Sequence, residues 1–94
     1  GMYGSAVFTV AEGQKLVFGR DSACSNVVFD QFDTDISRQH CTVEYVGGTY
    51  FVTDTSKNGT FTSDGTRLAA GVRTSLPQGT IIYLGNNKNT FRLE

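Results

Sequence analysis

Tryptophan is absent from this 94-residue chain, and proline, histidine and methionine occur once each. Cysteine is nearly as scarce, and the two present, Cys24 and Cys41, are too few for a disulfide framework. With a single His and no CxxC or HxxxH spacing, no structural zinc site, and no metal or cofactor of any kind, is expected. Thiols left free point to a reducing compartment, hence to a cytoplasmic protein or an intracellular domain of a larger one. An excess of either charge is also missing: Lys and Arg number 8 against 9 Asp and Glu, for a net charge of −1. Bulk electrostatics therefore does not draw the chain onto nucleic acid or an anionic membrane, and any anion it binds must be held by a local cluster. No apolar run approaches the ~20 residues of a membrane-spanning helix. Good helix formers are likewise thin on the ground, because Val, Thr, Phe, Tyr and Gly outweigh Ala, Leu, Glu and Lys, which excludes long helices.

What is present is a strand-forming composition with 7 Phe, 4 Tyr and 11 Gly. The length suits one domain, spanning residues 1–94, that buries roughly 60–65% of its unfolded surface in a single modest core. Gly1 ahead of Met2 reads as a residue added in front of a start codon, which leaves room for a longer parent protein. Short alternating segments recur between Gly, Asn and Asp, the pattern of an all-β sandwich or barrel. The expected strands are Ala6–Val10, Leu16–Phe18, Val27–Phe29, His40–Val46, Thr49–Asp54, Thr60–Thr62, Arg67–Leu68, Thr80–Leu84 and Thr90–Leu93. Gly47-Gly48 reads as a two-residue hairpin, and Leu76-Pro77-Gln78-Gly79 as a turn. Side-chain parity in the His40–Val46 strand puts Cys41, Val43 and Tyr45 on the core face and turns His40 toward the loops.

The polar groups collect between strands. Gly19-Arg20 ends an apolar strand with a guanidinium, a planar and permanently charged fork that matches two phosphate oxygens. Ser37-Arg38-Gln39-His40 offers a hydroxyl, the backbone N–H groups of a turn, a second cation and an imidazole. A Ser37–His40–Asp54 catalytic triad is disfavoured, because Ser37 and His40 share one turn and no strained nucleophile elbow or oxyanion loop is evident. A structural bond from His40 to a neighbouring carbonyl or to the Asn58 loop is expected instead. Lys57-Asn58-Gly59-Thr60 is a turn signal, a glycosylation sequon should the chain be secreted, and a source of an amide able to clamp a peptide backbone. In a sandwich, alternate connections gather at one end, so three such loops can converge.

Together, Phe18-Gly19-Arg20, Ser37-Arg38-Gln39-His40, Asp54 through Thr60, and Leu76 to Gly79 followed by Ile82-Tyr83-Leu84-Gly85 resemble the forkhead-associated (FHA) domain, a phosphothreonine-binding β-sandwich. The resemblance runs in order from about Phe8 to Phe91. It implies a two-sheet antiparallel sandwich of the SMAD/FHA type with functional loops at one end. It implies phosphate binding by Arg20, Ser37 and Lys57, a hydrogen bond from Asn58 to the peptide backbone, a secondary contact from Arg38, and architectural roles for Gly19, His40 and Gly59. The partner would be a phosphothreonine-containing protein or another segment of the parent chain, read by a monomer without catalysis; the alternative is an interaction module that works without phosphate. One departure is visible. Where the family often places a second Asn after Asn-Gly-Thr-Phe, this chain runs through Thr62 into the longer turn Ser63-Asp64-Gly65.

Overall fold

A computed structural model describes residues 6–8, 10–21, 23, 25, 27–28, 35–85 and 90–93, the first three and Val28 through their backbone alone. The strands are β1 (Ala6–Phe8), β2 (Lys15–Gly19), β3 (Val27–Val28), β4 (Cys41–Val46), β5 (Thr49–Asp54), β6 (Thr60–Thr62), β7 (Thr74–Leu76), β8 (Ile81–Leu84) and β9 (Thr90–Leu93). They form two sheets, β1-β9-β8-β6 and β3-β2-β4-β5-β7. Pairing is antiparallel except at two places, where β1 runs parallel to β9 and β3 parallel to β2.

Alternation builds the central hairpin. Gly47-Gly48 reverses the chain so that Cys41, Val43 and Tyr45 face Asp54, Val52 and Tyr50 across the ladder. Cys41, Val43 and Val52 are fully buried, and the Tyr45 and Tyr50 rings lie 4.8 Å apart. From β2, Phe18 joins this inner face opposite Cys41. Ile82, Leu84, Phe91 and Leu93 supply the facing layer. Between the sheets Phe18 stacks on Phe91, ring centroids 4.3 Å apart, a contact that contributes about 1 kcal/mol beyond the area buried. Ile36, on the connection into β4, closes the core at one end with no exposure.

Two strand expectations change. Arg67–Leu68 forms no strand; it makes one isolated bridge, Arg67 to Phe61, and one bond from the Leu68 N–H to the Thr60 carbonyl. The edge place beside β5 goes to Thr74–Leu76, a segment too short and polar to announce itself. Its neighbour Arg73 lies 3.7 Å from the Phe51 ring centroid and pairs with Glu44 at 3.2 Å on the outer face.

Register decides where the loops gather. Phe18 pairs with Cys41 and Cys41 with Asp54, so the end of β2, the start of β4 and the end of β5 share one edge. Thr60 pairs with Leu84, bringing the start of β6 and the end of β8 to the same edge.

Candidate functional site

The loops after β2 and before β4 touch through Gly19. A Cβ added there would lie 2.0 Å from the Arg38 carbonyl oxygen and 2.6 Å from the Ser25 hydroxyl, so no larger residue fits. The approach is stitched by the Arg20 N–H to the Ser37 carbonyl at 3.2 Å, and by the Ser25 hydroxyl to the Arg38 carbonyl at 2.6 Å. Arg20 Nε donates to the Ile36 carbonyl at 2.6 Å. That bond uses one nitrogen of the fork and ties the guanidinium to a core residue, while its terminal nitrogens bond no described residue.

Ser37 and His40 are joined differently from a catalytic pair. The Ser37 backbone N–H donates to His40 Nδ1 at 3.0 Å, and Nε2 lies 2.7 Å from the Gly59 carbonyl. An amide N–H only donates and a carbonyl only accepts, so the ring is neutral with its proton on Nε2. Burial lowers the His40 pKa; the Gly59 carbonyl and the Asp54 carboxylate pull upward without overcoming it. The Ser37 hydroxyl accepts the Lys57 N–H at 3.0 Å, which leaves its own proton to donate outward. The Arg38 N–H has no partner among the described residues.

A buried carboxylate shapes the third loop. Asp54 ends the inner face of β5, where strand parity points it into the core with no exposure. Its Oδ1 accepts the Ser56 N–H at 3.1 Å, the Ser56 hydroxyl at 2.5 Å and the Thr60 hydroxyl at 2.8 Å. Oδ2 has no partner among the described residues. Ser56 Oγ in turn accepts the Gly59 N–H at 2.8 Å. Gly59 has φ of 100°, a conformation that favours glycine, and a Cβ there would come 2.8 Å from Nε of the Arg67 side chain. Asn58 is exposed and donates from Nδ2 to the Asp35 carbonyl at 3.2 Å, which orients its amide and leaves the oxygen outward.

Arg20, Ser37, Lys57 and Asn58, read from three separate loops of the sequence, thus come together at one end, with the exposed Arg38 beside them. Sequence reasoning did not single out Asp54 and Ser56 as organisers of the third loop, although the spacing of an Asx-type turn was there to find it. The 63–65 departure is closed locally: the Asp64 carboxylate accepts the Thr62 hydroxyl, and the Thr66 N–H at 3.0 Å. Among the described residues no group of three or more His, Cys, Asp or Glu could hold a metal, and no helix is long and apolar enough to cross a membrane. Cys24 lies outside the described residues.

The sequence model of the FHA domain matches residues 16–85. The chain belongs to the FHA family. FHA domains are interaction modules, and solved FHA structures share this sandwich. The MEK1 FHA domain bound to a HOP1 phosphothreonine peptide aligns with a TM-score of 0.71 at 25% identity, over 80% of this chain and 76% of that one. The N-terminal FHA domain of Rad53 from S. cerevisiae, also bound to a phosphothreonine peptide, aligns at 0.62 and 26% identity over 73% and 54%. The FHA domain of CT664 from Chlamydia trachomatis aligns at 0.70 and 24% identity over 81% and 72%. No curated protein matches the sequence.

Proposed function

We propose that this FHA domain binds phosphothreonine-containing segments, on a partner protein or elsewhere in its own parent chain, as an intracellular, monomeric and non-catalytic domain spanning residues 1–94. The observation that carries the reading is the pairing of Arg20 with Ser37. The guanidinium is held through Nε by the Ile36 carbonyl while its terminal nitrogens bond no described residue, and the Ser37 hydroxyl is set as a donor by the Lys57 N–H. A phosphate monoester carries about −1.5 to −2 charges and accepts through three oxygens, so fixed donors of this kind suit it. The Arg38 N–H and the Lys57 ammonium add donors at the rim, and the Asn58 amide oxygen can accept a peptide N–H next to the phosphothreonine. The phosphothreonine complexes of MEK1 and Rad53 support the assignment.

Calorimetry with phosphothreonine peptides selected from a library, against unphosphorylated and phosphoserine versions, tests the proposal. Removing one partner of a hydrogen-bonded charge pair costs about 2–5 kcal/mol, roughly 30-fold to several thousand-fold in affinity. Arg20→Ala is therefore expected to abolish measurable binding with the fold intact, and Arg20→Lys to recover little because an ammonium lacks the fork. Ser37→Ala falls between them and Arg38→Ala loses least. Equal binding by Arg20→Ala, or by unphosphorylated peptides, refutes the phosphate reading.

A further inference from the structure

A third arginine stands beside the loops without having been counted among them. Arg67 follows the Asp64 turn, is held to β6 by its bridge to Phe61, and is exposed. Its Nε comes within 2.8 Å of where a Gly59 Cβ would sit, and its guanidinium carbon lies 5.8 Å from the Phe61 ring centroid. The side chain is thus laid across the outer face of Gly59, the residue after Asn58. It pairs with no described carboxylate. The nearby Asp64 is already engaged by the Thr62 hydroxyl and the Thr66 N–H. Contact with the ring and the glycine restricts the long side chain before any ligand arrives, which reduces the entropy lost on binding.

We propose that Arg67 is a specificity-determining residue that selects an acidic side chain flanking the phosphothreonine, an inference that rests on the phosphothreonine reading of the pocket. A peptide whose backbone is clamped at Asn58 passes the neighbouring Gly59, and a flanking Asp or Glu there meets the Arg67 fork, whose paired N–H groups match a carboxylate. An exposed pair of this kind contributes about 2- to 5-fold in affinity and weakens with salt.

The test uses fluorescence polarisation with phosphothreonine peptides on an alanine background, with Glu or Lys placed at each flanking position in turn. The wild-type domain is expected to favour Glu over Ala at one position, or two adjacent ones, by about 2- to 5-fold. Arg67→Gln is expected to erase that preference while binding the alanine-flanked peptide as the wild type does, which also reports an intact fold. Arg67→Glu reverses the preference toward Lys at the same position. A wild type that binds phosphothreonine peptides without any acidic preference overturns the inference and leaves the pocket standing, as does a preference that survives Arg67→Gln. A wild type that binds no phosphothreonine peptide overturns the pocket reading and this one together.

Discussion

Replacing His40 by alanine removes a side chain that ties the Ser37 turn to the Gly59 loop. The imidazole is fully buried, and it partners the Ser37 N–H at 3.0 Å and the Gly59 carbonyl at 2.7 Å. Alanine leaves both backbone groups without a partner. Each such group costs about 1–3 kcal/mol, with half-buried Ser37 at the lower end because water can reach it, so the sum is about 2–4 kcal/mol. A domain of this length holds roughly 5–14 kcal/mol in total, so the variant still folds but loses a sizeable share. In urea the midpoint is expected to drop by about 1–3 M. The same side chain also makes the wild type sensitive to acid. Its pKa is lowered by burial in the folded state, whereas the unfolded chain takes up the proton near pH 6.5. The unfolded state therefore binds more protons just below that value. The stability tied to neutral His40 is fully present above about pH 6.5 and is lost as pH falls toward the folded pKa. Urea titrations at a series of pH values, run on wild type and His40→Ala, should show a fall below pH 6.5 that is steeper in the wild type. An unchanged midpoint in the variant at neutral pH, or parallel pH profiles, refutes the reasoning.

Gly19→Ala is expected to destabilise by about 2 kcal/mol or more and to weaken peptide binding, because the new methyl meets the Arg38 carbonyl at 2.0 Å and pushes the Ser37 turn away from Arg20. A melting curve that matches the wild type contradicts this. Cys41 is fully buried and its thiol is pushed well above the ordinary range, chiefly by burial, so it should resist alkylation in the native protein and react together with Cys24 once unfolded. Mass spectrometry after labelling decides it, and rapid native modification at Cys41 counts against the assigned packing.

Strand alternation in residues 41–46 and 49–54, and the Gly47-Gly48 reversal between them, could be read directly because a period of two and a two-residue turn are local properties. The residues proposed for the phosphate, Arg20 and Ser37, could be named from the sequence because a phosphate calls for fork-like and hydroxyl donors, and only a few residue types supply them. Strand β7 escaped notice because Thr74-Ser75-Leu76 carries little pattern of its own and becomes a strand by completing the edge of β5. Arg67–Leu68 went the other way, its local preference overridden once the chain had to cross from one sheet to the other. An all-β domain and the chemical groups its loops carry follow from local sequence pattern. Tertiary structure alone decided that Asp54 also takes the Thr60 hydroxyl, that the Ser37 hydroxyl accepts the Lys57 N–H, and that Arg67 rests against Gly59. Each of those contacts joins residues brought together by strand register or by the return path of a loop, and neither the orientation of a donor nor the proximity of two loops exists until the sheets have closed on each other.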